Sequence, residues 1–428
     1  MIFCKKAGWG MALLFLCLIF GTGRTQKIEA AVQNVPESLE EESRLDTVGT
    51  DQETERAAVR EKKGQQEKEA GDTETDQAAA AQDELLAELD FDAIQQEVDS
   101  LLSSQQFSFA GTVRSLLQDG DPFRIFRAGN AVLSCAKTAF LAQKGLMKEL
   151  FLLVLAGAVL GSFSSLFEGK QVRDASFYMV YLLALALILK NFQSSGANLK
   201  AVITSLVAFM RILTPSYYLA AAAAGGASSA VMFYQMLLLV ILAVEKLLLA
   251  LVLPMIHIYL LIALVNDLSG EEILSHMTEL LETCVNGLLK SSLGVLVGMQ
   301  MIRNLIAPAL DSLRQMALWR TAGMIPGIGN AVNAVTELVA GSAVLIRNCF
   351  GVTAMLVLLA AGMVPAVQLL VSGLSFRLLA AAAQPVSDKR IAGCLAAAGK
   401  GYAMLLRLLL TVEVLFLLTI AILAGTFS

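Results

Sequence analysis

The sequence predicts an all-α, polytopic helical membrane protein of about seven to nine spans, built in part from an internal tandem repeat with proline-broken helices. Three observations predict it. The 428 residues are 56% hydrophobic and only 16% charged, with a mean hydropathy of +0.65, whereas soluble domains run nearer a quarter charged. From Leu150 onward, apolar runs approach or exceed the ~20 residues that a helix needs to cross a bilayer. Finally, Pro215 and Pro254 stand 39 residues apart, and Pro326 and Pro365 repeat that spacing 111 positions later, in a chain with only 8 prolines. Internal repeats with interrupted helices are one way of placing polar groups inside a lipid-buried fold.

The segments follow in order. Residues 1–23 read as a signal peptide: Lys5 and Lys6 are the charged start, Met11 to Phe20 the short apolar core, and Gly21-Thr22-Gly23 a small-residue cleavage site. An uncleaved N-terminal anchor is the alternative. Residues 24–82 read as an acidic, disordered tether, because so few large apolar side chains cannot offset the entropy of ordering the chain. Residues 35–92 hold 19 Asp and Glu against 6 Lys and Arg, a net of −13, while the whole chain carries −5. The acidity belongs to this one segment, and no nucleic-acid partner is expected.

Residues 83–148 read as amphipathic extracytoplasmic helices. Leu85, Leu86, Leu89, Ile94, Val98, Leu101 and Leu102 approximate a helical stripe, and a further helix is expected from about Phe123 to Lys148. Such helices face a partner, lie on the membrane surface or pack on the protein's own body. Residues 149–199 are expected to form a membrane hairpin, with Gly157 and Gly161 spaced for close helix approach. Membrane repeat one follows over 200–306 and membrane repeat two over 311–426. Gly294 and Gly298 offer a second tightly packed small-residue pair. Positive charge leaves the orientation open: Lys137, Lys144 and Lys148 precede the first span on the side a signal peptide would place outside, whereas Lys389, Arg390 and Lys400, before the last span, favour a cytoplasmic loop there.

Nothing in the sequence has the chemistry of an active site. There are two histidines, His257 and His276, and no HExxH. Gly327-Ile328-Gly329-Asn330 does not complete a dinucleotide fingerprint, and no GxxxxGK[ST] is present. The six cysteines show no CxxC spacing and read as apolar fillers. The chain is therefore expected not to be an enzyme and to hold neither cofactor nor metal. Any nucleotide-driven work would need a separate ATPase.

The candidate site residues are polar groups inside apolar runs and the prolines that break those runs. Arg211, Glu245, Lys246, His257, Gln300, Arg303, Arg347, Gln368 and Glu413 all fall in or at the edge of expected spans. A lipid-exposed charge costs at least a few kcal/mol, so each should face protein, water or a headgroup. A polar path or interhelical lock is one reading, and snorkelling at the interface is the other, suiting Arg211, Arg303 and Arg347 best. His257 and Gln368 each follow a repeat proline by three residues. Pro215, Pro254, Pro326 and Pro365 each remove a backbone donor, which kinks or breaks a helix and frees carbonyls that need partners.

Met324-Ile325-Pro326-Gly327-Ile328-Gly329-Asn330-Ala331-Val332, followed by Gly341-Ser342, Ile346-Arg347-Asn348 and Gly351-Val352, resembles the signature region of the stage III sporulation protein AE family. The Pro365 helix, the loop Gln384-Pro385-Val386-Ser387-Asp388-Lys389-Arg390, Pro254 with His257, and Leu264-Val265-Asn266 are similar to it as well. The likeness covers most of the chain from about Leu116. Asn330 stands where a small residue is expected, and the tether is longer and more acidic than expected. The resemblance implies a polytopic component of the channel-like apparatus linking mother cell and forespore, in the mother-cell membrane surrounding the forespore. It implies membrane lipid and other stage III sporulation operon proteins as partners, including a cytoplasmic ATPase and ring-forming membrane proteins, and brings no catalytic residues. Two roles are compatible with it: a channel or transporter-like subunit, or a non-conducting platform that anchors the rings and the ATPase.

Overall fold

The computed structural model describes residues 91–102, 107–119, 129–164, 170–223, 228–269, 274–322, 329–385 and 387–425. All of them belong to one unit, Glu88–Ser428. The expected signal peptide, the acidic tether and Pro326 lie outside the described residues. Among the described residues there is no strand, and the fold is all-α. The helices are α1 (Phe91–Leu101), α2 (Phe109–Asp119), α3 (Gly129–Ser164), α4 (Lys170–Ala223), α5 (Ser228–Leu247), a π-helical turn (Leu248–Val252), α6 (Leu253–Ser269), α7 (Ser275–Ala322), α8 (Gly329–Ala383) and α9 (Lys389–Gly425).

The two short N-terminal helices pack on the protein itself. Ile94 and Val98 recur one turn apart on α1, and Phe109 and Val113 on α2, and all four are fully buried. Gln95 locks the pair: its amide donates to the Phe107 carbonyl at 2.7 Å and accepts from the Phe109 N–H at 2.8 Å. Ser108 caps α2, its hydroxyl accepting from the Gly111 N–H at 3.1 Å. The seam closes on an aromatic cluster in which Phe91 and Phe109 both meet Phe350 of α8, while Tyr217 of α4 meets Phe350 from another side. Of the three arrangements open to these helices, packing on the body is the one adopted.

The last two helices form the centre. α8 ends just before Gln384-Pro385, where the proline cannot continue the helix. Asp388 then caps α9 by accepting from the Arg390 N–H at 3.0 Å. The chain therefore reverses, and α9 lies antiparallel against α8 while also packing on α6, α4 and α7. Among the described residues, the large exposed apolar side chains fall on α3 to α8 and none on α9. The apolar window of α9 is 61% buried, against 22% for that of α7. α9 is the helix the others surround, while α7 is the most outward-facing of the apolar spans.

Five helical stretches among the described residues are long and apolar enough to cross a membrane: Phe177–Tyr217, Leu238–Ser269, Ser275–Met299, Gly341–Ala383 and Lys389–Ala421. Among the described residues, some segments read as separate spans share one continuous helix. The expected span ending at Phe192 and the Arg211 segment both lie on α4, and the polar residues between them are helical. The Arg347 and Pro365 segments likewise share α8. The expected amphipathic helix up to Lys148 and the first apolar run are both parts of α3, so the boundary at 148/149 falls inside a helix. The boundary at 199/200 falls inside α4, and residues 306–311 fall inside α7.

Candidate functional site

The prolines sit in three different settings. Pro215 is exposed, near the C-terminal end of α4. Pro254 follows directly on the π-helical turn, where the ladder steps out and the Leu253 N–H reaches back to the Leu248 carbonyl. A π turn absorbs the donor that proline lacks without ending the helix. Pro365 lies half-buried inside the continuous α8. The stretch between Pro215 and Pro254 contains the end of α4 and the whole of α5, whereas α8 runs unbroken from Gly329 past Pro365. Where both 39-residue intervals are described both are helical, and they differ at the π-helical turn Leu248–Val252, which has no counterpart in α8.

His257 belongs to a buried aromatic node and Gln368 does not. The His257 ring lies against Gly196 of α4, so close that a Cβ there would stand 2.6 Å from Cε1 and Nε2. Its Nδ1 lies 2.8 Å from the Leu253 carbonyl, and its ring meets Phe192 edge-on at 5.3 Å. Phe192 in turn meets Tyr402 of α9 edge-on at 5.2 Å, and Tyr402 stacks on Phe376 of α8 at 5.2 Å. The Tyr402 hydroxyl accepts from the Asn191 amide at 2.7 Å and lies 3.3 Å from the Ser195 hydroxyl. Four helices, α4, α6, α8 and α9, therefore meet through one set of rings. Gln368 is exposed on α8. The sequence symmetry between the two residues does not extend to their surroundings.

Close backbone approach makes the node compact. A Cβ on Gly399 of α9 would lie 3.2 Å from the Gly373 carbonyl of α8, the small-to-small contact that lets two helices touch without a hydrophobic driving force between them. Gly157 serves the same purpose between α3 and α4, its open side 3.0 Å from Val180. Gly294 and Gly298, expected to be a second packed pair, face outward on α7, and a methyl group at either position would meet nothing within 4 Å.

A second polar site lies further along the same α8–α9 seam. Glu413 of α9 is 1% exposed, and its Oε1 has no hydrogen-bond partner among the described residues. Its carboxyl group fits into the space left by Gly362, three residues before Pro365 on α8. Pro365 has no N–H to donate to the Ala361 carbonyl, its ordinary helical acceptor, and Ala361 adjoins the glycine that touches the carboxyl group. Arg347, also on α8, is 1% exposed and lies one turn before Phe350 of the N-terminal cluster. Glu245 on α5 is 7% exposed, whereas Lys246 and Arg211 are exposed. Gln300 and Arg303 lie on α7.

A third cluster ties the hairpin end of α9 to α4 and α6. The Tyr181 hydroxyl donates to the Leu264 carbonyl at 2.6 Å. The Arg390 guanidinium lies 5.4 Å over the Phe177 ring and 3.5 Å from the Leu268 carbonyl, while Asp267 sits against Gly393. No sequence pattern marks these contacts, because each joins residues far apart in the chain.

The match to known proteins falls on the helices just described. The family model for stage III sporulation protein AE matches residues 107–426, from the start of α2 to the end of α9. The chain belongs to that family. A relative named stage III sporulation protein AE, from Bacillus subtilis (strain 168), is 22% identical over 291 residues, covering 67% of this chain and 73% of the relative. No solved structure matches the chain. Membership of the stage III sporulation protein AE family and five apolar helices together make this a membrane protein of sporulation. The match includes all three clusters and excludes the acidic segment that precedes residue 107.

Proposed function

We propose that this protein is a multi-pass subunit of the channel-like, secretion-like apparatus between mother cell and forespore, seated in the mother-cell membrane around the forespore. In this reading it is a channel or transporter-like component, working with a cytoplasmic ATPase and ring-forming membrane proteins of the same operon. It performs no bond chemistry itself. The observation that supports the reading best is the Glu413 carboxyl group, held in an apolar seam against Gly362, beside the Ala361 carbonyl that Pro365 has no N–H to serve. Ionisable groups inside a membrane are costly and characteristically mark ion or substrate pathways. A tandem origin for 200–306 and 311–426 is part of the same reading, with Pro254 and Pro365 as matching positions at which a helix continues past a missing backbone donor.

Glu413→Gln tests the proposal. The substitution keeps shape and removes the acid. Loss of late forespore gene expression, with the chain still made and still co-purifying with its partners, is the expected result. Normal expression in that variant counts against a polar path through the seam.

The node around Tyr402 favours a second reading, a non-conducting platform that anchors rings and ATPase. Phe192, Phe376 and Tyr402 are each essentially buried and interlocked across three helices, which suits a rigid scaffold. On this reading Glu413→Gln is silent, while breaking the node with Phe376→Ala abolishes partner assembly.

A further inference from the structure

We infer that an exposed cationic belt halfway along the bundle sits at the headgroup level of an anionic membrane leaflet, so that the bilayer boundary crosses the long helices near Asn191 and Tyr402 rather than at their ends. The apolar stretch Phe177–Tyr217 of α4 has 41 residues and Gly341–Ala383 of α8 has 43. At ~1.5 Å per residue each runs ~60 Å, about twice the ~30 Å hydrocarbon thickness. A boundary must therefore fall somewhere along each helix.

The side chains indicate where. Between its two apolar halves α4 exposes Lys190, Gln193, Ser194 and Asn198. The contacts Asn191–Tyr402 and Gly399–Arg377 bring Lys190, Arg377 and Lys400 to one level on three helices. Arg407 is two turns further along α9 and is tied to α7 by a 3.0 Å bond to Asn286. Gly157 of α3 meets Val180 of α4, and these two helices are successive and packed together. Counting back along antiparallel helices places Lys148 opposite the same part of α4. Lys148, Lys190, Arg377, Lys400 and Arg407 are all exposed and span a band about 14 Å deep.

The nearby acids are fewer. Glu282 pairs with Lys400 at 2.8 Å, and Glu149 is exposed beside Lys148. The belt reaches from α3, which packs on α4 and α8, round to the side of α9 that α7 covers. A single protein partner would meet one side only, whereas a leaflet surrounds the bundle. Leu374 and Leu378, both exposed, flank Arg377. Apolar stems beside cationic heads suit the boundary between acyl chains and phosphates.

The test uses the full chain, with its native cysteines replaced by alanine, in vesicles of phosphatidylcholine with or without phosphatidylglycerol. Lys190→Cys and Arg377→Cys are expected to react with a membrane-impermeant maleimide, while at least one of Leu182→Cys and Val297→Cys, on either side of the belt, is protected. Belt positions that stay unreactive in lipid but react in detergent would overturn the inference, as would uniform reactivity at all four. Protection of the belt that grows with protein-to-lipid ratio would also overturn it, by showing that a second copy covers the belt. Independently, the native chain is expected to enrich phosphatidylglycerol over phosphatidylcholine in its boundary shell, measured with spin-labelled lipids. The triple variant Lys190→Gln, Arg377→Gln, Arg407→Gln should lower that preference several-fold, and an unchanged preference contradicts the assignment.

Discussion

The carboxyl group of Glu413 on α9 occupies the space that a Cβ on residue 362 of α8 would take. The two residues form one feature: a glycine opens a pocket in a tight helix seam, and an acid with a buried, unpartnered oxygen fills it. The same seam carries Pro365 one turn on, and Gly373 and Gly399 at its other close contact.

Adding a methyl group at this point should therefore be costly. Gly362→Ala drives a Cβ into a fully buried side chain, and overpacking of this kind costs about 1–3 kcal/mol. The thermal midpoint of the purified protein in detergent should fall. Combining it with Glu413→Ala, which removes the obstructing group, should recover part of the loss. Additive losses in the double variant would mean that the two residues do not compete for the same space.

Tyr402 joins α4 to α9 through both its ring and its hydroxyl. Tyr402→Phe keeps the stacking on Phe376 and leaves the Asn191 amide without its acceptor. The expected loss is about 1–2 kcal/mol, typical of stranding one partner of a part-buried hydrogen bond. Tyr402→Ala should cost distinctly more, since it also empties the node. Equal effects of the two substitutions, read by denaturation in detergent, would show that the ring contributes little.

The N-terminal helices are held by a small aromatic contact set on Phe350. Phe350→Ala should loosen α1 and α2 before it disturbs α8 and α9, which have their own extensive seam. Limited proteolysis should then cut between residues 91 and 128 faster than in the native protein, leaving a stable fragment that begins near α3. Unchanged cleavage kinetics would place the anchoring elsewhere.

The Lys400–Glu282 ion pair should matter little to stability. Its partners are 54% and 27% exposed as side chains, and exposed pairs contribute about 0–1 kcal/mol. Lys400→Gln should leave the thermal midpoint nearly unchanged. A large drop would show that the pair lies in a low-dielectric environment.

The helical class is legible in the sequence because it rests on composition and long apolar runs, which report burial directly. The N-terminal stripe of Ile94 and Val98 is also readable, because a 3.6-residue period marks one buried face. The continuity of the long helices is not. Lys190, Gln193, Ser194 and Asn198 look like a loop between spans, yet helical hydrogen bonding continues through them. Hydropathy records polarity, not backbone continuity. Among the candidate residues, Glu413 and Arg347 are buried and His257 is half-buried against Gly196, while Gln368 and Arg211 face outward. A polar residue in an apolar run does not reveal which side of its helix meets a neighbour. Tyr402, Asn191 and Gly362 are silent in the sequence because their roles come from partners on other helices. The only sequence signal is the concentration of glycines near Tyr402: Gly393, Gly399 and Gly401.

The most direct measurement is late forespore gene expression in a sporulating strain whose sole copy carries Glu413→Gln, with partner co-purification followed in the same cells. The expected result is intact assembly with expression lost, which places the function in the buried carboxyl group. Intact assembly with full expression would contradict the account.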